Sequence, residues 1–573
     1  MKRLWVLAPA VAGLVLSGCA SLRAPGGAQS AATSAQVAAG PFKPTPSSRA
    51  MYDVLAAEMA GQAGDAKTAI RYYREAMNEL PDPALARRTM EVATYLHDEA
   101  VALEAARRWA ALAPDDARPQ QALGILYARR GDIDQAALHL ARFVKRSGQK
   151  PERALLLVGA LLAQTVEGAT ALPVMHRLVG DYPEQAGAQY AYGMMALQLG
   201  APATALDAAG HALALQPHFD QALSLKAQSL MALGHSDQAL DLLGEALKRT
   251  PDSVALRLAY ARLLVSAKSY DEARRQFHWL LKRDPHNPDV LYTLGLLDFE
   301  LKHDREAARY LRRVSKAGYH VSATQYFLGR IAERGGNMES ALDHYANVDA
   351  GEYLFDAQVR IAYILARQGD LDQAREYLSE LRASVSDKQQ KVELYLVEGE
   401  LLQQADDAPT ALKLYNKALH EYPGAARLLY ARALIADSLG DLGQAEADLT
   451  RVTQENPRDA AALNALGYML ADQTDRYAEA LGYIQRALAL KPDDPAILDS
   501  MGWVQFKLKH YAQARRYLER AYASFPDPEV AAHLIEVLAA SGDRGQASKL
   551  LGKALKAHPG DPKLTAVKRR LGL

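Results

Sequence analysis

The chain has 573 residues, with 67 Lys and Arg against 67 Asp and Glu, so it carries no net formal charge when histidine is neutral. That balance excludes the strongly basic surface needed to neutralise nucleic-acid phosphates, and it gives no polarised field to steer a highly charged partner. A single cysteine excludes an internal disulfide, and 28 Tyr against 9 Phe means that most aromatic rings carry a polar tip suited to a half-wet surface.

The amino terminus reads as a secretion signal. Lys2 and Arg3 precede an apolar run from Leu4 to Leu16, too short for a permanent membrane span. The run ends in Leu16-Ser-Gly-Cys19, which resembles the bacterial lipobox. The resemblance implies that residues 1–18 are removed and that Cys19 is lipidated. With Ala20 rather than Asp behind it, the anchor is expected on the periplasmic face of the outer membrane. Residues 19–47 are then the lipidated Cys and a tether of mostly Ala, Ser, Gly, Pro, Thr and Gln, too poor in apolar side chains to fold. As a flexible coil the tether spans roughly 30 Å, and at most about 100 Å when stretched.

Beyond the tether, alanine recurs fifteen times at a nearly fixed interval: Ala69, Ala102, Ala136, Ala171, Ala205, Ala239, Ala273, Ala307, Ala341, Ala374, Ala411, Ala445, Ala480, Ala514 and Ala547. The mean spacing is about 34 residues, the period of a helix–turn–helix unit that stacks on copies of itself. Each alanine is expected to open the second helix of a pair, where only a small side chain lets two backbones approach, and alanine is the best helix former among small residues. Five residues earlier there is often a glycine, such as Gly64, Gly131 or Gly369, suited to a left-handed helix end. About twelve residues later there is often a proline, such as Pro81, Pro251 or Pro457, which cannot continue a helix.

Three departures stand out. Trp109 takes the place of a second small residue, and Pro173 follows Ala171 by two, a position tolerable only in a first helical turn. Residues 387–391 (Asp-Lys-Gln-Gln-Lys) lengthen one interval to 37, which predicts a longer loop and a division of the array into residues 48–386 and 387–561. Residues 562–573 place Leu564, Val567 and Leu571 at helical spacing, as a capping helix would.

The comb, with Ala462-Leu-Asn-Ala-Leu-Gly-Tyr468 and Ile497-Leu-Asp-Ser-Met-Gly-Trp503, resembles the tetratricopeptide repeat. The resemblance implies an all-α, right-handed superhelical solenoid of about 15 repeats, whose first helices line a concave groove through their positions 2, 5, 9 and 12. Position 5 then holds Tyr190, Tyr292, Tyr326, Tyr430 and Asn464; position 9 holds Met194, Arg330, Tyr363, Tyr468 and Trp503; position 12 holds Met231, Phe299 and Phe506. Aromatics, Met and Arg at a surface are the material of binding hot spots. Tyr292, Phe299, Tyr326 and Tyr363 are expected to share one stretch of wall, where their loss weakens binding and spares folding. No repeat pairs Lys at position 5 with Asn at position 9, so a clamp for an acidic chain terminus is not expected.

Catalytic signatures are lacking: there is no Gly-rich phosphate loop, no His-Glu-x-x-His and no Gly-x-Ser-x-Gly. No enzyme activity, cofactor or metal is expected, and the partners should be proteins rather than nucleic acid. Asn464-Ala-Leu-Gly-Tyr-Met-Leu-Ala-Asp472, the run from Ala487 to Trp503 and Phe525-Pro-Asp-Pro-Glu-Val530 resemble long tetratricopeptide lipoproteins of proteobacteria. That resemblance implies an outer-membrane adaptor that brings a carboxyl-terminal processing protease to cell-wall hydrolases. An assembly or export factor, pilotin-like or a polysaccharide-export scaffold, is the other reading.

Overall fold

A computed structural model describes residues 46–572, and among these there are 31 α-helices and no strand. Cys19, the expected signal and the expected tether up to residue 45 lie outside the described residues, and residues 46–47, also expected in the tether, open the first helix. The chain divides between Ala239 and Leu240 into two compact units. The amino-terminal unit contains α1 (Pro46–Gln62), α2 (Ala66–Glu79), α3 (Pro83–Tyr95), α4 (Glu99–Leu112), α5 (Arg118–Arg129), α6 (Ile133–Arg146), α7 (Pro151–Thr165), α8 (Gly168–Gly180), α9 (Ala186–Gln198), α10 (Pro202–Leu215) and α11 (Asp220–Ala232). The division falls inside α12 (Ser236–Arg249). The carboxyl-terminal unit continues with α13 (Val254–Ser266), α14 (Tyr270–Arg283), α15 (Pro288–Glu300), α16 (Asp304–Lys316), α17 (Val321–Arg334), α18 (Met338–Ala346), α19 (Leu354–Arg367), α20 (Leu371–Ser384), α21 (Lys388–Gln404) and α22 (Ala408–Glu421). It ends with α23 (Ala426–Ser438), α24 (Leu442–Glu455), α25 (Ala460–Gln473), α26 (Tyr477–Leu490), α27 (Pro495–Lys507), α28 (Tyr511–Ser524), α29 (Pro528–Ala540), α30 (Arg544–Ala557) and α31 (Pro562–Leu571). Odd helices to α29 are the first (A) and even helices the second (B) members of fifteen pairs, and α31 is the expected cap.

Every comb alanine lies on a B helix and is 2 % exposed or less. One turn later each B helix places a second buried residue into the A–B seam, among them Leu140, Leu311, Tyr345, Tyr415, Ile484 and Leu518. These side chains are received by a glycine on the A helix. A Cβ added at Gly124, Gly295, Gly329, Gly399, Gly467 or Gly502 would lie 2.0–2.7 Å from them. In these six seams close approach therefore depends on two small residues, one on each helix.

The A-to-B turn is left-handed in thirteen pairs. Eight use glycine, but His97, Lys268, Lys302, Asp406 and Lys509 adopt the same turn at φ of 58–64°. An L side chain there costs about 1–2 kcal/mol, so Lys302→Gly is expected to raise the stability of its pair by about 1 kcal/mol, read as slower local amide exchange in α15 and α16. The residue after the turn is commonly Asp, whose carboxylate caps the B helix: Asp132 accepts from the Gln135 N–H at 3.1 Å and Asp441 from the Gln444 N–H at 3.1 Å.

Two expectations are corrected. Residues 387–391 do not form a longer loop. Asp387 accepts from the Gln390 N–H at 2.8 Å and caps α21, a 17-residue helix into which the inserted residues are wound. The division expected at 386/387 is thus a link of three residues, Val385 to Asp387. Pro173 stands inside α8, in its second turn rather than its first. On α31, Leu564 and Val567 are buried against α29 and α30.

Candidate functional site

The A helices carry the expected binding residues, and within each unit several successive A helices pack side by side, α7 with α9 and α25 with α27 among them. In the carboxyl-terminal unit the structure reassigns several of them. Tyr292, Phe299 and Tyr326 are only 9, 9 and 4 % exposed. Each seals the junction with the next A helix. The Tyr292 ring lies 4.8 Å from His320, which caps α17, and the Tyr326 ring stacks at 4.6 Å on Tyr353, which caps α19. Phe299 meets Phe327 edge-on at 5.2 Å beneath the Arg334 guanidinium. The Tyr326 hydroxyl donates to Asp356 and accepts from the half-buried Arg330 at 2.9 Å. Burial pushes the Tyr292 hydroxyl up to about 12. These rings are junction core, not open surface: an aromatic at the next cap gives Tyr292 and Tyr326 a dry partner, and Phe327 within α17 does so for Phe299. Tyr363 is half-buried and donates to Glu400 at 2.6 Å. Tyr430 is half-buried against the cores on either side of it, and Asn464 is half-buried with its Oδ1 enclosed and unpaired among the described residues.

At the carboxyl end, α25, α27, α29 and α31 share one polar network. Trp503 is buried, donates its indole N–H to Asp472 at 3.0 Å and stacks on His533 at 4.1 Å. The half-buried Phe506 ring lies 5.2 Å from it. His533 Nδ1 sits 3.0 Å from both oxygens of buried Asp499. Tyr468 donates to Glu529 at 2.9 Å, and Lys563 on the cap pairs with the same carboxylate at 2.5 Å. These side chains satisfy one another and leave little for a partner.

Burial works against the charge of Glu529, but Lys563 and Tyr468 outweigh it and hold the carboxyl below its ordinary range. A depressed carboxylate contributes stability that is complete above its unfolded value, near about 4.3, and lost as pH falls through the folded value. Glu536 has the opposite sign, since burial raises its carboxyl despite Arg570. Amide protection of α31 is therefore expected to fall below about pH 4 in a manner that Glu529→Gln removes. Protection with the same pH dependence in both proteins would contradict this.

The open surface is in the amino-terminal unit. α9 contains no charged residue, and α7 has only Glu152 and Arg153, both in its first turn. Leu156 and Leu157 on α7 and Met194 on α9 are 37–41 % exposed. Ala160, Gln164 and Gln198 are exposed around them, and the two helices pack side by side. Tyr190 is half-buried, its ring 5.3 Å from Phe219 at the cap of α11. Of the three residues expected in this unit, Met194 is presented, Tyr190 is partly sealed, and Met231 is half-buried with its sulfur accepting from the Ser236 hydroxyl at 3.2 Å. Leu156, Leu157 and Ala160 were missed, although two adjacent A helices with no charge beyond the first turn of α7 were a signal.

Tetratricopeptide repeat profiles match residues 167–218, 224–288, 261–303, 292–353, 396–446 and 430–495, a second set matches 473–532 and 505–571, and a third matches 356–387. A TPR repeat-containing protein of Pseudomonas aeruginosa is 35 % identical over 527 residues, covering 91 % of this chain and 89 % of its own. The chain belongs to the tetratricopeptide repeat family. The cellulose synthase 2 operon protein C of Komagataeibacter xylinus is 28 % identical over 252 residues, 43 % of this chain and 17 % of that one. Among solved structures, a thermophilic TPR protein of Thermus thermophilus is 25 % identical and covers 31 % of this chain and 97 % of its own, with a TM-score of 0.29. As a tetratricopeptide array the chain is a scaffold for protein–protein interaction, and its fifteen repeats and cap take up all the described helices.

Proposed function

We propose that the protein is a non-catalytic scaffold that holds protein partners against the wall formed by α7 and α9, and that Cys19 tethers it to the periplasmic face of the outer membrane. The observation that carries this reading is the exposed, uncharged surface of Leu156, Leu157, Ala160 and Met194. Such a surface gains about 25 cal/mol for each Å² of apolar area a partner covers. In the finer form of the reading, one partner is a carboxyl-terminal processing protease and another its cell-wall hydrolase client. Holding both on one tethered array raises their effective concentration for each other. The wording of residues 463–530 supports this form. A second reading, an assembly or export factor, is favoured by the match to a cellulose synthase operon protein.

Two substitutions test the wall. Leu156→Glu with Met194→Glu is expected to weaken binding of a partner captured from the cell envelope by at least about 2 kcal/mol, with the thermal melt lowered far less than by a core substitution, because each side chain is more than a third exposed. Unaltered affinity would move the binding surface elsewhere. Loss of the gene separates the two readings: accumulation of cell-wall hydrolases supports the adaptor, and loss of an exported surface polymer supports the export factor. Cys19→Ala is expected to release the chain from the outer membrane, and a processed, membrane-bound variant would refute the tether.

A further inference from the structure

α1 packs on α2 through one face, on which Ala50 and Ala57 are fully buried. Its opposite face carries Met51, Leu55 and Met59 and, at its edge, Tyr52, each 60–71 % exposed; the Tyr52 ring meets Tyr72 of α2 edge-on at 6.4 Å. The charged residues of the helix are engaged elsewhere. Arg49 pairs with Glu79 at 3.3 Å, Asp53 is buried and Glu58 accepts from the Tyr73 hydroxyl. The stripe is therefore uncharged, and its spacing of 51, 55 and 59 is symmetrical about Leu55.

We propose that this stripe pairs with the same stripe of a second copy, antiparallel, about a two-fold axis through Leu55. Such an interface is isologous and closes at two subunits. Leu55 meets Leu55, Met51 meets Met59 of the second copy, and Tyr52 flanks that same Met59. Methionine suits such a contact because its flexible thioether fills irregular gaps. Complete cover of the four side chains would bury roughly 500 Å² per protomer, about 1,000 Å² in all, which is an upper bound that sits at the lower limit for a specific interface and sets the dimer at the weak, reversible end. A lipid surface fits less well. An interfacial helix usually carries Lys and Arg on its polar face, whereas α1 has Arg49 alone against Asp53 and Glu58.

Cysteine cross-linking tests the axis, because Cys19 is the only native cysteine. In the full chain carrying Cys19→Ser, Leu55→Cys is expected to cross-link to itself under mild oxidation. Met51→Cys and Met59→Cys should each cross-link poorly alone but efficiently when mixed. In sedimentation of the Cys19→Ser chain, Leu55→Asp is expected to raise the dimer dissociation constant at least tenfold with the melt unchanged. The proposal is overturned by a chain that stays monomeric up to about 100 μM, by a dimer that Leu55→Asp leaves intact, or by Met51→Cys alone cross-linking as well as Leu55→Cys. It is also overturned if the monomeric chain binds vesicles of phosphatidylethanolamine and phosphatidylglycerol and Leu55→Asp abolishes that binding, which would assign the stripe to a membrane.

Discussion

Tyr326→Ala is expected to destabilise the region around α17 by about 3–5 kcal/mol, the usual cost of removing a buried aromatic ring. The ring is 4 % exposed, stacks on Tyr353 and lies 6.0 Å from the Tyr345 ring on α18. Its hydroxyl also holds Asp356 and Arg330, so truncation leaves both with one partner fewer. Repeats lean on their neighbours, so the loss should concentrate in α15 to α19. Hydrogen exchange is the measurement: faster exchange across those helices with α7 and α9 unchanged is the expected pattern. An unchanged exchange profile would return the ring to the surface and restore the groove reading for this part of the array.

Glu398→Ala should cost as much by a different route. Glu398 on α21 is buried and lies between Arg375 at 3.1 Å and Arg382 at 2.7 Å, both on α20. The Arg382 contact is a close ion pair whose angles do not make it a hydrogen bond. Arg382 is itself 11 % exposed and lies over the Tyr395 ring at 4.4 Å. Deleting the carboxylate leaves that guanidinium enclosed and uncompensated, which typically costs about 3–5 kcal/mol. Arg375→Ala, on a more exposed partner, should cost under about 1 kcal/mol. Chemical denaturation followed through the α20–α22 region would separate the two, and equal losses would show that the triad is not organised around Arg382.

Much of the fold was legible because its seams are steric. A comb of alanines, with glycines and prolines at fixed offsets, follows from how closely two backbones must approach and where a helix must stop. What escaped was decided by second residues. The left-handed turns at Lys302 and Lys509 carry no local mark, since nothing in a lysine announces positive φ. The Lys-Gln-Gln-Lys run after Asp387 looked like loop because it is polar, yet Lys and Gln are good helix formers and the Asp before them is a strong cap.

The binding residues show the same limit. A tyrosine at position 5 has two places to go, a groove or a junction, and its own identity does not choose. Phe219, His320 and Tyr353, each 27 to 29 residues downstream of the tyrosine concerned, make that choice by putting a ring at the next helix cap. Met194 had no such ring against it and stayed exposed. The wall on α7 and α9 is an absence of charge beyond the first turn of α7, a pattern that residue-by-residue scanning for aromatics passes over.

The hydrogen bond from Tyr468 to Glu529 passes over a whole repeat, from α25 to α29 with α27 between them. Most links in a chain of repeats join only neighbours, so tension applied at one end peels the elements away singly. Here the same Glu529 also holds Lys563 on α31, so a load entering at the carboxyl terminus is carried at once into α29 and α25. The last three repeats and the cap should therefore yield to mechanical extension as one block, with a single long step in place of several short ones, giving the carboxyl end of the array a grip that its remaining repeats lack.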